Sequence, residues 1–440
     1  EISLCDWSSD VCSSDLDKIN YEKTFACVQC GYCLPACPTY ETMKKETHSP
    51  RGRINLVKQF AEGKLDINVL QDPIDKCLGC NACTVVCPSD VEYNKILEGA
   101  KQVLEEQQPK TKKQKIAEKL LFEDIFPSRK WMKRVGDLTW FYQASGLKKF
   151  AEKTGLAKVA PLSLDQFSQV LPNLPSPSER RRRLHRIPAK GKSRIKVGFF
   201  TGCIMDSIFF EINQKTIDLL TLAGAEVVIP EMQTCCGALH AHTGKIGHSR
   251  LLAKKNIEAF EAESVDYIIN NAGGCGARLI EYEELFDDDP EWRERAKTFS
   301  NKTRDISEIL VELDRLTFTQ PIAGPVTYQA SCHMLNVQKV VNAPLKLIKE
   351  IPNIDYREME GADRCCGSAG IYNIVNFEDS MKILDNKMIH MKETQAKIIV
   401  TTNPGCLLQM KLGIKRENLA STVRALHLVE LLHEARPVQK

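Results

Sequence analysis

The sequence lacks any run of about 18 apolar residues, the length a membrane-spanning helix needs, so it offers no segment that crosses a bilayer. It lacks a surplus of either charge: 60 Lys and Arg stand against 57 Asp and Glu, a net +3 that is too balanced for nucleic acid to be the main partner. A signal-peptide apolar region is missing as well, and so is a P-loop. One glycine-rich stretch follows a predicted strand, Gly273-Gly274-Cys275-Gly276-Ala277. Its spacing departs from the dinucleotide fingerprint and a cysteine occupies its centre, so it reads as a decoy, and no flavin or NAD site is expected in the chain. With 43% hydrophobic residues over 440 positions, disorder is excluded and two to four domains are expected.

What the sequence has is 18 cysteines. In a long chain of intracellular character they read as metal or cluster ligands rather than disulfides, which implies a reducing, cytoplasmic setting. Residues 1–16 begin with Glu1 and show neither helical nor strand periodicity, so they read as a non-native leader and Cys5 and Cys12 are discounted as ligands.

Residues 17–110 carry two runs of the form C-x2-C-x2-C-x3-C-P, Cys27-Cys30-Cys33-Cys37-Pro38 and Cys77-Cys80-Cys83-Cys87-Pro88. Two-cluster bacterial ferredoxins use this run, and in them the fourth cysteine ligates the other cluster. By that rule Cys27, Cys30, Cys33 and Cys87 hold one [4Fe–4S] cluster, and Cys77, Cys80, Cys83 and Cys37 hold the second. Zinc sites are built from two cysteine pairs and fit a third thiol at i+6 and a fourth at i+10 poorly. The proline after each fourth cysteine is expected to end the local helix or turn. RINLVKQFAEG, between the runs, is patterned as a helix. The arginines of Ser49-Pro50-Arg51-Gly52-Arg53 face either the anionic clusters or water.

Residues 111–193 form a helical extension and a Pro/Arg-rich linker. Trp131, Trp140, Phe141 and Tyr142 are expected to pack on the first domain, the alternative being a docked neighbour. The three prolines between Pro172 and Pro177 and the run Arg180–Arg183 mark a solvated linker or covering strap, with an anionic lipid or acidic surface as the other partner for the arginines.

From residue 194 onward the chain repeats itself, over 194–320 and 321–440. Cys203, Cys235, Cys236 and Cys275 recur as Cys332, Cys365, Cys366 and Cys406, and equivalent cysteines lie 129–131 residues apart. Short β-branched runs alternate with amphipathic helical stretches, predicting two α/β domains with largely parallel sheets. Each four-cysteine set falls after strand ends, where open α/β sheets build ligand sites. A further cluster, zinc or a redox thiol pair are its possible contents. Imidazole can complete a metal site or move a proton. His240, His242, His248 and His333 therefore join the candidates, His333 being the strongest; hydrogen-bonded structural roles are the alternative.

The motifs SPRGRI, TGC, CCGALHAHTG, CCGSAGIYN and NPGC, in this order of modules, resemble the glycolate oxidase iron–sulfur subunit. The resemblance implies an α+β chain: an α-helical ferredoxin-type two-cluster domain of the kind found in succinate dehydrogenase and heterodisulfide reductase subunits, then two duplicated CCG domains. In heterodisulfide reductase the domain pattern ends in C-x-x-C. The first of those two positions is Ala272 in one copy and Asn403 in the other, which puts a non-cubane cluster in doubt. The resemblance further implies an electron-transfer subunit that serves an FAD-containing partner oxidising glycolate or D-lactate. A membrane quinone or another carrier would be the acceptor, reached by peripheral membrane contact at most. The anaerobic glycerol-3-phosphate dehydrogenase C-type subunit, a heterodisulfide-reductase-like thiol–disulfide enzyme and a zinc scaffold are the rival readings.

Overall fold

The computed structural model describes residues 18–154 and 164–437; residues 1–16, read above as a non-native leader, lie outside them with Cys5 and Cys12. No strand precedes Arg186 among the described residues. The helices Pro50–Ala61, Ile67–Asp75 and Tyr93–Gln107 enclose an apolar core that includes Val57, Phe60, Ile74, Ile96 and Val103. Ser49 caps the first of these helices by accepting from Gly52 N at 2.9 Å, and Pro50 fills the first helical position, where no N–H is needed. Pro38 acts the same way: it opens the helix Pro38–Met43 instead of ending one. The turn before it stops at Ala36, and the helix Ala82–Val85 stops before Pro88, in keeping with the sequence expectation, while the missing N–H costs nothing at the start of the next helix.

The extension 111–154 packs mainly on the first repeat and touches the ferredoxin-type domain through Glu118, which pairs with Lys110 at 2.7 Å. In the helix Arg129–Ala144 the buried residues are Met132 and Gly136, and the helix packs on the short helix Ile204–Ser207 of the first repeat. A Cβ on Gly136 would meet Ser207 O at 2.8 Å. Trp131 and Phe141 are exposed, and Arg134 lies over the Trp131 ring at 4.6 Å. Expecting these aromatics to pack on the first domain was therefore mistaken. The helix has a narrow buried stripe, and small residues fill it. The Arg180–Arg183 segment is a docked strap: Arg180 pairs with Asp137, and Arg183 with Asp206 at 2.8 Å.

The first repeat builds a five-stranded sheet from β1 (Arg186–Ile187), β2 (Ile195–Phe199), β3 (Ala225–Val228), β4 (Tyr267–Asn270) and β5 (Thr303–Asp305), ordered β1-β3-β2-β4-β5. All its pairs are parallel except β1 with β3. The second repeat gives a parallel three-stranded sheet, β6 (Val326–Tyr328), β7 (Ile398–Thr401) and β8 (Arg424–His427). Between the sheets lie four helices: Phe210–Leu222 and Ile306–Leu313 from one repeat, Asn342–Lys349 and Leu428–Ala435 from the other. Of these four, the first helix of each repeat touches the last of the other, Phe210–Leu222 on Leu428–Ala435 and Asn342–Lys349 on Ile306–Leu313, so one continuous apolar core spans both. The backbone seals the junction, with Gly273 N donating to Thr402 O at 3.0 Å.

His427 caps the helix Leu428–Ala435, its Nδ1 accepting from Val429 N at 3.2 Å while Nε2 meets Asn271 O of the first repeat at 2.9 Å. Burial pushes its pKa down to about 4. The unfolded chain thus binds this proton first as pH falls, and stability drops from about pH 6.5 to about pH 4 and then levels. Thermal denaturation across that window should show a shallower decline in His427→Asn, whose amide oxygen keeps the cap on Val429 N without the titration.

Candidate metal centres

Two cavities hold the ferredoxin-type cysteines. Cys27, Cys30, Cys33 and Cys87 line one, with Cys83 also on its wall; Cys37, Cys77, Cys80 and Cys83 line the other. The crossed pairing of each fourth cysteine with the opposite run is thus the spatial grouping of the thiols. Both loops curl in the same way. Gln29 and Gly31 in the first run, and Gly79 and Asn81 in the second, have φ between +55° and +88°, which turns successive backbone N–H groups toward a common centre. Such nests suit anionic cluster sulfur.

Burial raises the pKa of the Cys27, Cys33, Cys80 and Cys83 thiols, the last two strongly. Cys77 behaves otherwise: burial opposes its ionisation, but Arg53 and Lys101 outweigh that and hold it below its ordinary value. Arg53 is 1% exposed, and no carboxylate reaches it within salt-bridge distance among the described residues. Its Nε donates to Pro73 O at 2.7 Å and Nη2 to Thr39 Oγ1 at 3.0 Å, while Nη1 lies 4.0 Å from Cys37 Sγ. A buried guanidinium needs an anionic partner, and here only the thiol set is placed to supply it. This fits a [4Fe–4S] group on Cys37, Cys77, Cys80 and Cys83. Sequence alone left the SPRGRI arginines undecided. The structure places both at thiol sets: Arg51 lines the first cavity, its Nη1 donating to Gln29 O at 3.0 Å while its Nε pairs with Glu46 at 2.7 Å, and the buried Arg53 faces the second. Tyr93, whose hydroxyl lies 3.3 Å from Cys77 Sγ, had no sequence signal beyond its place in a helix.

In each repeat the four cysteines converge from three segments, the Cys-Cys-Gly loop and two that pass from a strand into a helix start, with Cys275, Cys332 and Cys406 in first helical turns and Cys203 at a helix N-cap. Cys203 Sγ lies 3.3 Å from Cys235 Sγ. Neighbouring S–H groups of Cys235 and Cys275 stabilise a thiolate at Cys236, whose pKa falls well below the usual range. In the second repeat mutual contact and burial raise the Cys332, Cys365 and Cys366 thiols. Crowded thiols that resist ionising are what a bound metal relieves, because coordination deprotonates them.

Around the second set lies Lys387, 4% exposed, its ammonium given to the carbonyls of Gly361 and Arg364. His333 Nδ1 sits 3.5 Å from Cys332 Sγ. His242 is half-buried, with its ring centroid 5.2 Å from that of His333. His240 instead meets Phe122 O through Nε2 at 2.8 Å, and His248 is half-exposed, 3.9 Å from Glu123.

The second repeat's site abuts the ferredoxin-type domain. Asn336 Nδ2 donates to Cys80 O at 2.7 Å, and Leu78 packs in one apolar cluster with Cys332, Cys365 and Tyr372, against which Cys80 rests. The first repeat's set faces elsewhere, onto a small cavity under the helix Arg129–Ala144 that Cys203 and Cys235 line with Met132 and Phe126.

Comparison with known proteins follows the same divisions. A 4Fe-4S dicluster domain matches residues 23–91, the linker region of the glycolate oxidase iron-sulfur subunit matches 113–171, and a cysteine-rich domain matches twice, over 197–280 and 326–411. The "Probable glycolate oxidase iron-sulfur subunit" of Bacillus subtilis is 48% identical, covering 93% of each chain. The Escherichia coli "Glycolate oxidase iron-sulfur subunit" is 27% identical, again over 93% of each. "Lactate utilization protein A" of Oceanobacillus iheyensis is 33% identical over 55% of this chain and 98% of its own. With this identity sustained through all three kinds of module, the chain belongs to the glycolate oxidase iron–sulfur subunit family.

Proposed function

We propose that this chain is the electron-transfer subunit of a glycolate or D-lactate dehydrogenase complex, drawing electrons from an FAD-bearing partner and passing them toward a quinone or other carrier. The single observation that supports it best is the buried, carboxylate-free Arg53 against a fully convergent thiol quartet. Cys27, Cys30, Cys33 and Cys87 are the ligands of one [4Fe–4S] cluster, and Cys37, Cys77, Cys80 and Cys83 of the other. Bound there, the clusters supply one-electron redox capacity that ordinary side chains lack. The chain's own groups set the conditions. Apolar walls from Leu78, Ile54 and Tyr93 keep water from the thiols, and Arg53 offsets their charge. Cys30 is exposed beside the exposed side chains of Val28 and Tyr32, giving the first quartet an approach from outside, while the second quartet is enclosed.

The contact of Cys80 with the second repeat supports a direction: inward from the Cys30 side, through the second quartet, to Cys332, Cys365, Cys366 and Cys406. Those four, and Cys203, Cys235, Cys236 and Cys275, are read as holding an additional cluster or zinc. No helix among the described residues is long and apolar enough to cross a membrane, so contact with a bilayer would be peripheral, on the cytoplasmic side.

Iron, acid-labile sulfide and zinc per chain after anaerobic purification test this reading. About eight irons are expected from the ferredoxin-type domain alone, and more than that if the repeats hold clusters. Zinc in place of iron overturns it. Replacing Arg53 by Met should make one cluster potential more negative by on the order of 100 mV, since one charge is lost at close range. Arg53→Lys should restore most of it. Redox titration followed by electron paramagnetic resonance reads both, and an unchanged potential in Arg53→Met removes the charge-offset role.

A further inference from the structure

The arginine strap and the helix Arg129–Ala144 enclose a cavity of about 490 Å3, open to solvent, that no part of the redox reading uses. Arg129, Lys130, Lys133 and Arg134 enter it from the helix, and Arg180, Arg181 and Arg183 enter from the strap. Against these seven cations stand two lining carboxylates, Asp137 and Asp206. Both are committed: Asp137 to Arg180 and Arg181, Asp206 to Arg183.

The cations are not simply splayed into water. The side chains of Arg180 and Arg183 are each 8% exposed. The Nε atoms of Arg129 and Arg180 are buried without a hydrogen-bond partner, and Arg129 gives its Nη1 only to the carbonyls of Pro230 and Glu231. Partial desolvation and the neighbouring guanidiniums push the pKa of both Arg129 and the surface Lys133 down, the mark of like charges crowded together. Holding them there is unfavourable unless an anion joins them.

We propose that this cavity binds a compact phosphate-bearing anion. A monocarboxylate brings one charge to an excess of five cations, whereas phosphate groups bring more charge and tetrahedral oxygens that match paired guanidiniums. The cations converge on one concavity from a helix and a strap; an extended acidic peptide would call for an open stripe. The phosphate has two possible sources, a free metabolite or a phospholipid headgroup. Exposed Trp131, Leu138 and Phe141 on the same helix would suit the latter. Arg129, Lys133 and Asp206 also line the smaller cavity that reaches Cys203 and Cys235, so the anion would sit beside the first four-thiol set.

The test uses the full chain, anaerobically purified, with inorganic pyrophosphate in calorimetry and with vesicles of phosphatidylcholine, alone or mixed with phosphatidylglycerol, in flotation. The variant Lys130→Gln/Lys133→Gln alters two exposed side chains and should keep the wild-type melting temperature; Lys130→Arg/Lys133→Arg keeps the charge. Saturable pyrophosphate binding, weakened about tenfold or more in the Gln variant and retained in the Arg variant, supports the site with a free phosphate. Flotation that requires phosphatidylglycerol and shows the same variant pattern, without pyrophosphate binding, supports it with a headgroup. Binding to neither probe, binding indifferent to the Gln variant, or equally tight binding of glycolate or polyglutamate overturns the proposal. Iron content measured on the same samples keeps a failure here distinct from a failure of the electron-transfer reading.

Discussion

Sixteen thiols gathered in sets of four inside an apolar interior set the terms for everything around them. Sulfur ligands work as thiolates, and a thiolate out of water is costly unless positive charge or donated hydrogen bonds surround it. The left-handed residues that aim amides inward, the guanidinium of Arg53 and the ammonium of Lys387 all answer that cost. The buried Arg278, whose charge is felt at Cys236 and which pairs with Glu98 at 3.3 Å, belongs with them. These groups are not interchangeable. Backbone amides act at hydrogen-bond range, and buried cations reach further because the interior screens them weakly.

The packing follows from the same constraint. The ferredoxin-type domain seats itself on both repeats and so keeps water from its thiols. Lys101 donates to His242 O at 2.9 Å and Arg364 meets Glu41 at 3.0 Å. Gly244 allows the backbone near Lys101 O to approach within what would be 2.3 Å of a side-chain carbon, with φ of +80°. One enclosed quartet therefore borders a second four-thiol site through Leu78 and Cys332, with no solvent layer needed between them.

Much of this was legible in the amino-acid sequence because cysteine spacing is local and discrete. The two C-x2-C-x2-C-x3-C-P runs, the duplicated Cys-Cys-Gly sets and the α/β alternation could be read without coordinates, since each depends on neighbours in the chain. Long-range charge could not. Arg51 and Arg53 are two residues apart in one motif, yet one borders the first thiol set with an exposed glutamate as its partner and the other is buried against the second without any carboxylate, a difference fixed by the helix face each occupies. The aromatics of the Arg129–Ala144 helix misled for a related reason: bulk suggests burial, but Met132 and Gly136 carry the contact. The arginine run looked like a linker because its partners, Asp137 and Asp206, lie in segments 43 and 23 residues away.

The reciprocal contact between the repeats, first helix to last helix in both directions, is the geometry of a two-fold dimer written on a single chain. In a true dimer every substitution appears twice, so the two halves must stay alike. Fusion removes that rule. Lys387 beside the second thiol set corresponds, at the spacing of the duplication, to the buried Ile257 of the first, and Arg278 to Gln409. Joining the halves covalently thus allowed two sites of common descent to acquire different electrostatics without loss of the interface that holds them.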